Sequence, residues 1–524
     1  MIFIAVSHKI MYKVLFLLIA YAVSCSCANV VRDGRRIEEK EIIFPQVNLQ
    51  GNPPIVDPPK RSAGYFKLNR TVDAHMFYFL FQSRNQIDTD PVVLWMTGGP
   101  GCSSELAVFY ENGPYSINAD MTLTETKYGW DRFHTTIFID QPINTGFSYS
   151  EADEDRVFNE AGVAEDMLDF LQEFFVVHPE LSERPFFVTG ESYAGHYVPA
   201  VSHRVWLANK QKEGTPINLK GIAIGNGLTN PEIQFPAYAD FALENKLISQ
   251  PMHDSIKFWA PLCTLSTRVC NSLGWGWVCS IGVQVCQMTE FVPIMAANPG
   301  INVYDITKKC EGTLCYDFTN ADKFLNLPST RQALGVGQRE WEGCNYDVYG
   351  DMTGDWLMNL EVVLPEMLED GIRVLIYAGE LDLICNWLGN YRWVEAMKWK
   401  GQSDWQASPE VEWKVLGKHA GSIKSAGDLT FLKVAAAGHM VPMDQPYNAL
   451  AMITAFTRGQ PLQSMDSVLL AEPIKNDQLI YMEEELLQQM VEGVVPNKQQ
   501  SLFTSALQYV QDVVDSLSAS EATA

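Results

Sequence analysis

Short apolar runs separated by polar, glycine-containing turns recur from Gly64 onward. Residues 76–81, 92–96, 136–140, 186–188, 222–224, 374–377 and 431–434 each read as strands, being short, apolar and bounded by turn residues. Between them lie stretches with helical spacing, notably 161–177 and 391–399. Strands alternating with helices predict an α/β architecture with a mostly parallel central sheet flanked by helices on both faces. The alternation lapses between about 229 and 361, so the predicted core comprises 61–228 and 362–460, with 229–361 inserted as a cap over the sheet.

The two ends of the chain read differently. Residues 1–28 have the form of a secretory signal: Lys9 and Lys13, an apolar run over 14–23, then Ser26-Cys27-Ala28. Cleavage is expected near Ala28, and Met11 would serve equally as the start of a tidier signal. No later stretch is as long and apolar as a membrane span, so no stable membrane insertion is expected after signal removal. Residues 29–60, polar and then proline-rich, read as a mobile lead-in or pro-segment. Residues 461–524 hold ten acidic residues against Lys475 and Lys498. Within them Phe503, Ala506, Leu507, Val510, Val513, Val514 and Leu517 form an amphipathic helical stripe, read first as a helix docked on its own domain.

Composition narrows the function. The 524 residues are 47% hydrophobic and 19% charged, which is globular, and the formal charge of −25 becomes −27 without the two signal lysines. Such a balance excludes nucleic acid as a partner and disfavours anionic membrane. Nine of the eleven cysteines remain after signal removal, and an odd count in a secreted chain predicts four bridges and one free thiol. The even spacing of Cys263, Cys270, Cys279 and Cys286 suggests nested pairs 263–286 and 270–279. Cys310 and Cys315 would close a small loop, and Cys102 with Cys344 would leave Cys385 free, although spacing alone leaves the connectivity open. Asn69-Arg70-Thr71 is a glycosylation sequon at Asn69.

The chemistry centres on Gly190-Glu191-Ser192-Tyr193-Ala194-Gly195, which follows an apolar run and opens a helical stretch. A serine flanked by small residues on so tight a turn exposes its hydroxyl above the sheet edge. Downstream, Gly379-Glu380-Leu381-Asp382 and Gly438-His439-Met440-Val441-Pro442 follow late strands and supply an acid and a base in the order Ser, Asp, His. Ser192, Asp382 and His439 are therefore the expected triad: histidine takes the serine proton, and the carboxylate fixes its tautomer. Residues 97–104, Thr97-Gly98-Gly99-Pro100-Gly101-Cys102-Ser103-Ser104, offer backbone N–H groups to an oxyanion. No Gly-Lys-Ser/Thr follows this loop, so a phosphate-loop reading fails.

These motifs, with Gly225-Asn226-Gly227, resemble the serine carboxypeptidases of the α/β-hydrolase superfamily, from about Gly64 to Gly459. The wording around Thr97 and over 105–114 is most similar to the plant type III branch. The resemblance implies an oxyanion hole from the amides of Gly99 and Tyr193. It also implies recognition of a peptide's terminal carboxylate by Gly98, Glu111 and Glu191. Where the family has Asn this chain has Thr97, whose hydroxyl can still donate. The family's bridges match the four pairings above, and its free cysteine near the substrate pocket matches Cys385.

The expected activity is removal of C-terminal amino acids from peptides and proteins through an acyl-enzyme, without metal or other cofactor. Two carboxyl groups can face a substrate carboxylate only if at least one is protonated, so acidic pH is expected to favour binding. An acyltransferase on the same scaffold is the runner-up, with a non-catalytic binding or stabilising partner third. The signal and the cysteines imply the secretory pathway, ending in vacuole, lysosome or extracellular space. Nothing in the sequence decides side-chain preference or proteolytic maturation, and it leaves room for a homodimer.

Overall fold

The computed structural model describes residues 30–32, 35–44, 59–85, 88–312 and 314–462. The expected signal and the tail stripe at 503–517 lie outside the described residues. Among the described residues fourteen strands form: β1 (Val30–Arg32), β2 (Arg35–Glu41), β3 (Arg61–Lys67), β4 (His75–Phe81), β5 (Val92–Met96), β6 (Tyr115–Ile117), β7 (Leu123–Glu125), β8 (Thr135–Ile139), β9 (Phe186–Glu191), β10 (Leu219–Gly225), β11 (Arg373–Gly379), β12 (Val411–Val415), β13 (Lys418–Ala426) and β14 (Leu429–Val434). All but the β6–β7 hairpin join one sheet, in the order β1-β2-β3-β4-β8-β5-β9-β10-β11-β14-β13-β12.

The expectation of parallel strands describes the middle of this sheet. β8, β5, β9, β10, β11 and β14 run parallel, and β5 and β9 are buried at every position. Burial on both faces explains their unbroken apolar text. Met167 and Phe170 of helix Glu160–Val177 and Tyr197 and Val201 of helix Ala194–Gln211 fill one side, while Ala449, Met452 and Phe456 of helix Pro446–Arg458 fill the other.

Both flanks are antiparallel, which the sequence reading did not specify. Two-residue turns dictate this between β12, β13 and β14. Leu416 and Gly417 join β12 to β13 with φ of 51° and 69°, the left-handed pair that reverses a chain in two residues. Within the stretch read as a mobile lead-in, β2 pairs with β3 from Ile37↔Phe66 to Glu41↔Ser62.

Glu39 anchors that strand. It accepts from Tyr78 Oη at 2.5 Å and lies 2.7 Å from His178 Nε2. Burial alone would raise its carboxyl. The hydrogen bond and charge of His178, with Tyr78 and Lys60, more than offset this and hold it at about 2.

Disulfides join Cys102 to Cys344, Cys263 to Cys286, Cys270 to Cys279 and Cys310 to Cys315, and Cys385 is free. Within 229–361, residues such as Phe235, Phe241, Ile256, Val283 and the four cysteines 263–286 build a small core of their own. The whole stretch is not cap, however, because Phe324, Leu325, Leu334 and Trp341 pack into the main core. Gly276–Ala297 is long and apolar enough to cross a membrane. This differs from the sequence expectation that no later stretch would reach that length and apolarity; the segment's Cys279 and Cys286 are tied to helix Gln250–Leu273.

Replacing Glu39 by Ala should cost about 2 kcal/mol near neutral pH, the scale of a buried charge-assisted hydrogen bond. A depressed carboxyl stabilises above its unfolded pKa and loses that contribution as pH falls towards the folded value. The difference from wild type in urea unfolding should therefore shrink from about pH 4.5 towards pH 2.

Candidate active site

Four loops converge at the C-terminal ends of the parallel strands, where open α/β sheets collect ligands. β9 ends at Glu191 and helix Ala194–Gln211 begins three residues later, leaving Ser192 on the turn with φ of 67°. The flanking residues must be small. A Cβ on Gly195 would stand 2.5 Å from backbone atoms of Leu228, and one on Gly190 would stand 2.5 Å from Met96 O. The Ser192 backbone is fixed by its N–H to Gly225 O at 3.1 Å and by Leu228 N–H to its carbonyl at 2.9 Å.

Asp382 follows β11 and His439 follows β14. Their main chains abut closely, since a Cβ on Gly379 would meet Ala437 O at 2.5 Å. His439 Nδ1 lies 2.8 Å from Asp382 Oδ2, and His439 Nε2 has no partner and belongs to the cavity wall beside Ser192. Asp382 is fully buried and accepts three further hydrogen bonds, from the amides of Ile384 at 3.0 Å and Cys385 at 3.2 Å and from Asn226 Nδ2 at 2.8 Å. Asn226 also takes the Gly379 amide on its Oδ1 at 3.1 Å. Sequence reasoning quoted Asn226 within a motif but gave it no role. An amide between two glycines just after an expected strand was the available signal.

Residues 97–104 cross beside Ser192. A Cβ on Gly98 would lie 2.4 Å from Tyr193 N, so the Gly98-Gly99 backbone runs directly against the start of the serine's helix. The Cys102–Cys344 bond and the Ser103 N–H to Gly343 O hydrogen bond, 2.9 Å, clamp this loop to the insertion. Thr97 Oγ accepts from Trp95 Nε1 at 3.0 Å, which occupies one lone pair and leaves the hydroxyl proton available.

Glu111 and Glu191 are both buried, each with Oε2 unpartnered, and both belong to the same cavity wall. Burial raises Glu111 to about 7, against a hydrogen bond with Glu191 and the His439 charge that lower it, with Asp444 adding to the rise. Burial and the neighbouring Glu111, then Asp382 and Asp444, push Glu191 well above the carboxylate range. Two acids that share a proton in a water-poor site present a donor as well as acceptors.

The cavity encloses about 360 Å³ and brings together Thr97, Gly98, Gly99, Glu111, Glu191, Ser192, Tyr193, Cys385 and His439. The insertion contributes its far wall, including Phe291, Tyr304, Tyr316, Tyr349 and Trp356. Asn69 lies away from this wall. Among the described residues no cluster of His, Cys, Asp or Glu has the arrangement of a metal site.

Comparison with known proteins agrees in one direction. Residues 53–459 match the serine carboxypeptidase family model. "Serine carboxypeptidase-like 49" of Arabidopsis thaliana is 50% identical over 440 residues, 84% of each chain. "Serine carboxypeptidase 3" of Hordeum vulgare is 51% identical, over 83% of this chain and 85% of that one. The crystal structure of Kex1(delta)p, a prohormone-processing carboxypeptidase from Saccharomyces cerevisiae, superposes with a TM-score of 0.71 at 26% identity, covering 80% of this chain and 95% of that one.

Burial, then the charges of Asp382 and Glu191, push the Cys385 thiol well above its ordinary value. Iodoacetamide, which needs thiolate, should therefore leave Cys385 largely unmodified in the folded protein at pH 7.5 and modify it in urea, as read by mass spectrometry.

Proposed function

This chain belongs to the serine carboxypeptidase family, a family of serine-type peptide hydrolases with the α/β-hydrolase fold, and on that premise we propose that Ser192, Asp382 and His439 release C-terminal amino acids through an acyl-enzyme. His439 Nε2 takes the Ser192 proton as Oγ attacks the scissile carbonyl. Asp382 holds Nδ1–H and stabilises the imidazolium, and Asn226 keeps Asp382 in place. The amides of Gly99 and Tyr193 receive the negative charge on the carbonyl oxygen. His439 then protonates the leaving amino acid, and water, deprotonated by the same nitrogen, frees the acyl group.

The single observation that carries the exopeptidase reading is the buried Glu111–Glu191 pair beside Ser192. The substrate's free carboxylate seats against it, with the Gly98 amide and the Thr97 hydroxyl as further donors. The shared proton bonds to the carboxylate and keeps three negative groups from meeting. An endopeptidase has no use for such a pair, and a chain continuing past the scissile residue would collide with it. A destination in the secretory pathway fits the four disulfides, which persist in oxidising compartments. An acidic vacuole or lysosome suits the proton the pair must keep. A monomer and a homodimer would both leave the site complete.

Replacing Ser192 by Ala should lower kcat on a blocked dipeptide at least about 10⁴-fold, the scale of losing a nucleophile from an intact triad. Turnover that survives the substitution, or that occurs only as acyl transfer to an alcohol, would contradict the reading. The same variant lets binding be measured without chemistry. A raised carboxyl keeps its proton at low pH and loses it as pH rises through about 7. Calorimetric Kd for the dipeptide should accordingly rise about tenfold between pH 6 and 8 and stay nearly flat when Glu111 and Glu191 are both Gln.

A further inference from the structure

Helix Gln250–Leu273 has two faces of different kinds. Ile256, Cys263, Thr267 and Cys270 are buried in the cap's own core, while Phe258, Leu262, Leu265, Val269 and Leu273 stand exposed. The exposed five follow spacings of four, three, four and four, a helical stripe on the outer surface of the cap. Phe258 is 74% exposed and Leu265 57%, unusual for side chains of this size lying in one row. Neither the cavity nor the hydrolase core uses them.

The chain holds a second stripe of the same period. Phe503, Leu507, Val510, Val514 and Leu517 repeat at four, three, four and three, beyond the described residues. The mean repeat is about 3.75 residues in the cap row and 3.5 in the tail, both close to the helical period, so each presents one apolar face. Their lengths agree: at 1.5 Å per residue, each stripe would run roughly 21–22 Å. We propose that 503–517 seats as a helix along Phe258, Leu262, Leu265, Val269 and Leu273, closing the outer face of the cap.

Tethering decides the occupant. The described chain ends at Leu462, and forty residues lie between it and position 503. Forty residues of chain reach at most about 130 Å when extended, so the length alone allows the tail to reach the cap. Such a tether presents the tail at an effective concentration on the order of millimolar, so a second copy competes only when equally concentrated. A formal charge of −25 also keeps anionic lipid from the surface.

Hydrogen–deuterium exchange on the full chain tests this seat. Amides of 503–517 should exchange at least about tenfold more slowly than in a Leu507→Asp/Val510→Asp variant. The reciprocal Leu262→Asp/Leu265→Asp variant, altered only at exposed cap positions, should deprotect the tail while leaving dipeptide hydrolysis unchanged. Tail exchange indifferent to the cap substitutions would overturn the proposal. Tail protection that grows with protein concentration would assign the face to a second copy, and protection seen only with phosphatidylcholine vesicles would assign it to lipid; either contradicts an intramolecular seat.

Discussion

The left-handed backbone of Ser192 is the constraint from which the active-site architecture follows. A φ of 67° strains any residue with a side chain, by about 1 kcal/mol or more, and persists only where the surroundings enforce it. Here the enforcement is crowding. Gly98, Gly190 and Gly195 each sit where a Cβ would meet backbone within 2.6 Å, so three chain segments close on the serine without side chains between them. The same closeness sets the Gly98-Gly99 backbone against the first turn of the serine's helix. β11 and β14 then deliver Asp382 and His439 from neighbouring strand ends, their approach permitted by Gly379.

A second theme is the number of acids whose burial favours the protonated form. Glu111 and Glu191 face the cavity. Beneath residues 98–104, burial raises Glu105, and burial with the neighbouring Glu105 pushes Asp140 well up; Asp140 accepts from the amides of Ser104 at 3.1 Å and Phe147 at 2.7 Å. Beside the serine's helix, burial and Asp355 push Glu160 well up, and burial raises Asp355 to about 7. A carboxyl raised by folding stabilises fully below its unfolded pKa and loses that contribution as pH rises through its folded one. These acids therefore favour the folded state most in acid, the same direction as the substrate binding proposed at Glu111 and Glu191. A net charge of −25 adds self-repulsion at neutral pH in the same sense.

Much of this was legible in the sequence because the site is built from small residues on strand ends, and glycine motifs announce themselves. Each of the seven expected strands lies on an observed one within a few residues, since doubly buried strands write unbroken apolar runs. The text at 411–426 carried its own alternation, with Trp413 and Val415 buried among exposed neighbours, but its strands lie at a half-solvated edge and look like loop. β2 was hidden for the same reason: Arg35–Glu41 is charged, and only Glu39's pairing with His178 and Tyr78 shows why it belongs to the sheet. Asn226 and the buried acids were not legible as such, because sequence gives no burial and their partners lie far off, 156 residues away for Asn226 and 195 for Glu160. The limits of the cap were blurred likewise, since Phe324 and Trp341 look no different in text from cap residues yet fill the main core.

The most direct test of the central claim compares one substrate in two forms. The pH dependence of KM should be measured between pH 5 and 8 for a blocked dipeptide with a free C-terminal carboxylate and for its C-terminal amide. If the Glu111–Glu191 proton reads the terminal carboxylate, KM for the acid climbs through about pH 7 while KM for the amide stays level. Parallel curves for the two would mean that the pair takes no part in recognition and that the exopeptidase account rests on the wrong residues.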